Sequence, residues 1–199
     1  GLFSVLPRNV LVTGGLAGDG AEFAVTLVGL NATPRQHQIV AVGLYGDTIA
    51  VNHGCGGGWE TFGPSRRITR VTGNVLYELD GKPALELYKQ YLGDEACSLP
   101  GSALLFPLAV HPQHDAEHAT VRTVLAVDEA NQSMTFAGDV AQGQMAKLMH
   151  ASFSDLVDAA EYAAQQAVRS APPADALAIL VSCIGRKLLL GQNISDETE

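Results

Sequence analysis

Apolar and polar positions change period several times along the chain, and those changes divide it into elements. Val71, Gly73, Val75, Tyr77 and Leu79 fall on one side of a period-two pattern, that of a half-buried strand. Asp80-Gly81 turns the chain, and Pro83 has the fixed φ of a first helical turn. Ala84, Leu87, Tyr88 and Tyr91 then recur at i, i+3, i+4 and i+7 until Gly93 stops them. A longer helix is predicted over 152–169. Ser152 is a good N-cap with Asp155 three residues on, Phe153, Leu156, Val157, Ala160, Ala164 and Ala167 mark one face, and Pro172-Pro173 ends the pattern.

The remaining apolar runs have strand length. Asn9 to Thr13 delivers the chain into a glycine-rich loop, and Phe23, Val25 and Leu27 alternate after it. Asn31 to Gln36, with Pro34, reads as a polar connection. Ile39 to Tyr45, the turn Gly46-Asp47, and Ile49 with Val51 make the clearest hairpin. Residues 52–67 have no hydrophobic period and read as an irregular loop. Ala103 to Phe106, Val121 to Val127 and Ser133 to Ala137 read as neighbouring strands, and Ala176 to Cys183 as a central one, while Gln144 to His150 fits strand or helix equally. The expected fold is α/β or α+β: a mostly antiparallel or mixed sheet with helices at 83–92 and 152–169 packed on it.

Three stretches carry a resemblance. Val75-Leu76-Tyr77-Glu78-Leu79-Asp80-Gly81-Lys82-Pro83-Ala84, followed by Leu87-Tyr88 and Leu92-Gly93, resembles the start of the C-terminal half of the FIST sensory domain. Val12-Thr13-Gly14-Gly15-Leu16-Ala17-Gly18-Asp19-Gly20 resembles the glycine-rich end of its N-terminal half, and Ser182-Cys183-Ile184-Gly185-Arg186 its small-Cys-x-Gly-Arg element. They keep the family's order. The resemblance implies that 1–60 is the end of the N-terminal half and that 61–199 is a C-terminal half incomplete at its end. It implies a fragment or processed chain, in keeping with a first residue Gly1. It also implies non-catalytic, intracellular sensing of a small molecule, with amino acids or their derivatives as the family's proposed ligands. The signal would pass by domain rearrangement or to a signalling partner. The alternative from another class is a protein-recruiting module, because FIST halves also accompany F-box segments in ubiquitin-ligase receptors.

Composition narrows this further. At 199 residues and 47% hydrophobic, the chain has ample material for a core. Lys plus Arg number 12 against 21 Asp plus Glu, a formal charge of −9, with the bases scattered apart from Arg66-Arg67-Arg70. Nucleic acid and anionic membrane are therefore not expected partners. Cys55, Cys97 and Cys183 are odd in number and far apart, which suits a reduced, cytoplasmic compartment rather than a disulfide framework or zinc site. No cofactor is expected.

Candidate ligand-binding residues follow from backbone exposure and charge. Gly14, Gly15, Gly18 and Asp19 lie in a loop whose N–H groups could cradle an anion, or which simply needs positive φ. Gly57 and Trp59 set exposed backbone beside an aromatic wall, unless Trp59 packs on the sheet. Thr72, Asn74 and Glu78 lie where strand meets loop, near the arginine cluster, which either attracts an acidic ligand or balances nearby carboxylates. Cys183 with Arg186 three residues on is a lowered-pKa thiol or a carboxylate clamp, against a structural cysteine with Arg186 paired to an acid such as Asp139. A Cys183-dependent enzyme is the third reading. His111, His114 and His118 read as a solvated loop, not a metal site, and no G-x-S-x-G elbow places a nucleophile.

Overall fold

The computed structural model describes residues 5–20, 22, 24–168 and 176–198. Its centre is a curled antiparallel sheet of eight strands: β1 (Glu60–Thr72), β2 (Val75–Leu79), β3 (Lys82–Pro83), β4 (Leu108–His111), β5 (Thr120–Arg122), β6 (Val124–Asp128), β7 (Ser133–Phe136) and β8 (Met145–His150). The order is β5-β4-β8-β1-β2-β7-β6, with β3 attached to β2. The helices are α1 (Ala84–Leu92), α2 (Phe153–Val168) and α3 (Ile184–Leu190), with short 3₁₀ turns beside them. The mixed α/β class, the mainly antiparallel sheet and both expected helices are present.

The curl has a simple origin. β1 pairs with β8 through Arg67 and with β2 from Ile68 onward, so one long strand changes partner at its middle. On the far side β5 pairs with β4 and β6 with β7, and only Thr123 separates β5 from β6. The two edge strands are thus consecutive in the chain, and the sheet bends at both places, as sheets do where a strand passes from one face to another through a bulge. At the β1 bend Thr69 is the extra residue, since Ile68 and Arg70 face adjacent Leu79 and Glu78. Gly63-Pro64 falls in a second irregularity, between Phe62 and Arg66, where proline's missing N–H costs no ladder bond. This explains why a stretch read as an irregular loop to residue 67 is strand from Glu60.

The turns obey their residues. Asp80 and Gly81 both have positive φ, 51° and 74°, the geometry of a two-residue hairpin turn between Leu79 and Lys82. The bend of the sheet encloses Ile68, Leu76, Leu79, Leu108, Val124, Met134, Phe136, Ala146 and Leu148. α1 closes over them with Ala84, Leu85, Tyr88 and Leu92. Tyr88 is buried, its hydroxyl donates to the Phe106 carbonyl at 2.8 Å, and burial pushes its phenol pKa up.

Several expectations fail, for a common reason. Among the described residues of 5–59 there is no ladder beyond one bridge, Val28 to Arg35, so the strands predicted at 9–13 and 25–27 do not form, and Asn9 and Val10 lie in a turn; Phe23 lies outside the described residues. The Gly46-Asp47-Thr48 turn forms, but the arms of the 39–51 hairpin do not pair, and Ile39 is 82% exposed. Residues 176–183 likewise join no ladder among the described residues. Alternation prepares a strand, yet only a neighbouring backbone completes one. Residues 101–105 form a 3₁₀ turn instead of the strand expected near 103–106. Residue 169 and Pro172-Pro173, the expected end of the long helix, lie outside the described residues.

Candidate functional site

The Gly54–Gly58 stretch runs along α2 with backbone touching backbone. A Cβ on Gly54 would stand 1.8 Å from the Ala163 carbonyl oxygen, on Gly56 2.1 Å from that of Ala159, and on Gly58 2.5 Å from that of Asp155. Glycine recurs every second residue while its helical partners recur every fourth. The periods match because two extended residues advance about 6.6 Å and four helical residues about 6 Å. Only glycine permits so close an approach. α2 therefore meets this chain along Asp155, Ala159 and Ala163. Leu156 beside them is buried, while Phe153 and Ala164, both assigned to the apolar face, are exposed.

Arg186 locks the junction. Its Nη1 donates to the carbonyls of Gly57 at 3.0 Å and Gly56 at 3.4 Å, Nη2 donates to that of Leu156 at 2.7 Å, and Nε donates to Glu197. The side chains of Arg186 and Glu197 are 7% and 11% exposed, so this ion pair is largely out of water. The other Glu197 oxygen accepts from the Ser182 hydroxyl at 2.8 Å. One guanidinium thus joins the glycine strand, α2 and the last 3₁₀ turn (Gly191–Glu197). Trp59 is half-buried and edges the same junction: a Cβ on Gly185 would meet its ring at 3.6 Å and the Leu104 carbonyl at 2.8 Å.

Cys183 caps α3. Its exposed sulfur accepts the Arg186 backbone N–H at 3.4 Å, while the guanidinium is spent on carbonyls and Glu197. The acidic partner of Arg186 is Glu197, not Asp139, whose carbonyl accepts from Arg122. Of the eleven candidate residues, Gly57, Trp59, Cys183 and Arg186 are together at this junction.

The others lie elsewhere. Asn74 sits in the β1–β2 turn and ties it to β7, its Nδ2 donating to the Phe136 carbonyl at 2.8 Å. Thr72 is exposed beside it, and Glu78 pairs with Arg70 Nε at 2.7 Å. Gly14, Gly15 and Gly18 are exposed; a Cβ on Gly15 would meet a Val181 methyl at 2.6 Å. The Asp19 carboxylate accepts the N–H groups of Ala24 and Val25, both at 2.7 Å. In the arginine cluster, Arg66 donates to the Tyr91 hydroxyl and to Asp80, so two of the three bases have partners. Sequence reasoning missed Glu197, which gives no local signal, and the role of Ala159 and Ala163, which the glycine period opposite a helix could have revealed.

The family model of the FIST N domain matches residues 1–82, and that of the FIST C domain matches residues 84–199. The chain belongs to the FIST family. FIST domains are sensory domains of signal transduction. No curated protein and no solved structure matches the chain. Among the described residues no helix of this FIST chain is long and apolar enough to cross a membrane, and no group of three or more His, Cys, Asp or Glu could hold a metal ion.

Proposed function

We propose that this FIST chain binds a small molecule, an amino acid or a related carboxylate, reversibly and without chemical change, as the sensory part of a cytoplasmic signalling protein. The match of both family models, end to end, carries the reading. The Cys183-Arg186 pair supports its non-catalytic side: sulfur caps a helix and the guanidinium holds a structural junction, so neither is posed to activate the other. A ligand transmits a signal only by binding one arrangement more tightly than another. The Arg186 junction, which joins three separate segments through one side chain, is a suitable element for such a change.

A thermal-shift screen against amino acids and small carboxylates tests this. A true ligand at about 100 times its dissociation constant stabilises the folded state by about 2.7 kcal/mol. A flat panel removes the sensing reading. It would move the weight to a second one, a protein-recruiting surface, which the exposed Ile39, Tyr45, Leu177 and Ile179 favour.

A further inference from the structure

The bend of β1 leaves one arginine over. Arg66 is held by Tyr91 and Asp80, and Arg70 by Glu78 with its guanidinium 4.5 Å from the Tyr77 ring centroid. Arg67 lies between them, exposed, and among the described residues its side chain has no hydrogen-bond or ion-pair partner; only its backbone is used, its N–H donating to the Asp80 carboxylate at 2.9 Å and its carbonyl accepting the Asp80 N–H at 2.8 Å. Arg67 lines an open depression of about 340 Å³ with Ile68, Thr69, Gln142 and Gly143. That volume is near the lower end of small-ligand sites, about 300–1,000 Å³.

The depression exists because of how the sheet is built. β1 leaves β8 at Arg67, and the turn before β8 takes over: Gly143 N–H donates to the Ile68 carbonyl and Ile68 N–H to that of Gln144, both at 2.8 Å. Thr69 is the bulged residue, and bulges re-aim side chains near functional sites. Its hydroxyl accepts from Gly81 N–H at 2.9 Å and keeps its own proton to donate. The Gln142 side chain is exposed and, among the described residues, has no hydrogen-bond partner. Three residues with donor side chains therefore line one concavity: Arg67 with a planar guanidinium, Gln142 with an amide and Thr69 with a hydroxyl.

The geometry points to a binding subsite for the carboxylate of a small monoanionic or zwitterionic molecule, with Arg67 as its charge partner and Gln142 and Thr69 as further donors. The planar fork of arginine suits a carboxylate. The local charge sets the valence: Arg66 is balanced by Asp80 and Arg70 by Glu78, leaving one uncompensated positive charge in a chain of net charge −9. A dianion would be under-neutralised there. The subsite deepens the sensory reading and rests on it for its biological meaning.

Nuclear magnetic resonance of the whole chain, following the Arg67 Nε–H and Gln142 side-chain amide resonances, tests it with four probes: propionate, L-alanine, propionamide and inorganic phosphate. Propionate and L-alanine should shift both resonances saturably, and propionamide should not. Arg67→Gln should weaken propionate binding by about fivefold or more while leaving the melting temperature unchanged, because only the Arg67 backbone is used by the fold. No carboxylate-induced shift at these two residues overturns the subsite. So does equal affinity in Arg67→Gln, or phosphate binding more tightly than propionate. Each of those results leaves a positive thermal-shift hit, and with it the sensory reading, standing with a different site; a flat thermal-shift panel beside a positive titration here would do the reverse.

Discussion

Ile68 and Ile39 are the same side chain in opposite settings. Ile68 is fully buried where β1 changes partner, its N–H and carbonyl both bonded to the turn before β8. Ile39 sits in an unladdered run of equally apolar residues, Ile39 to Leu44, and is 82% exposed. The difference lies in what stands beside each strand. From Glu60 to His150 nearly every apolar run has a laddered neighbour, and α1 covers the enclosed face; among the described residues from Val5 to Trp59 the one bridge is Val28 to Arg35. The two regions meet at Gly54–Gly58, where the unpaired chain is fastened by its backbone to α2 and by Arg186 to the end of the fold. Backbone pairing, rather than hydrophobic content, separates the laddered region from the unladdered chain.

Cutting that fastening should give the largest effect. Arg186→Ala leaves Glu197 nearly buried without its cation and removes the guanidinium's hydrogen bonds to the Gly56, Gly57 and Leu156 carbonyls. Removing one partner of a buried pair costs about 3–5 kcal/mol. Urea unfolding should show that loss, and limited proteolysis should open first near residues 52–59. Gly56→Ala should reproduce the proteolytic opening, because its Cβ would displace the strand from α2. A loss below about 1 kcal/mol in Arg186→Ala would mean that the junction does not hold the two regions together.

Local signals were legible wherever the chemistry is local. The Asp80-Gly81 turn, the apolar face of α1 and the strands on either side of Asp128–Gln132 all follow from residues adjacent in sequence. The long-range features were not. Nothing near Arg186 announces Glu197, and nothing in Gly54, Gly56 and Gly58 says which helix they will meet, since the matching period lies a hundred residues away. The 39–51 hairpin misled because its turn chemistry and alternation are both sound, whereas pairing depends on the surface offered to it. The arginine cluster looks like one unit in sequence; in the fold it divides into two balanced residues and one unbalanced one.

A smaller effect is expected at the start of α2, on the helix that receives the glycine strand. Ser152 Oγ accepts the Asp155 N–H at 3.2 Å, and the Asp155 carboxylate accepts the Ser152 N–H at 2.9 Å and its hydroxyl. Ser152→Ala should cost about 1 kcal/mol, the usual worth of an N-cap. The Ser152 hydroxyl, then its N–H, holds the Asp155 carboxyl below its usual range. Its folded pKa is therefore lower than its unfolded one. The associated stability is complete above the unfolded pKa, near 4, and is lost as pH falls through the folded value. Ser152→Ala should flatten the acid limb of the stability profile; an unchanged slope below about pH 4 would remove Asp155 from that balance.

The smallest effect is the sharpest test of the contrast. Ile39→Ala and Ile179→Ala remove large side chains that are 82% and 81% exposed, so each should change unfolding free energy by no more than about 0.5 kcal/mol. Buried isoleucine cut to alanine costs about 2–5 kcal/mol, which makes Ile68→Ala the internal standard. Amide exchange supplies the backbone half: Ile39 to Leu44 and Leu177 to Val181 should exchange quickly, and β1 and β8 slowly. A cost near 2 kcal/mol at Ile39 or Ile179, with slow exchange around it, would mean that these runs are paired strands in solution. The boundary at Trp59 would then be a bend within one laddered structure, and Ile39 and Tyr45 would leave the exposed surface on which the protein-recruiting reading depends.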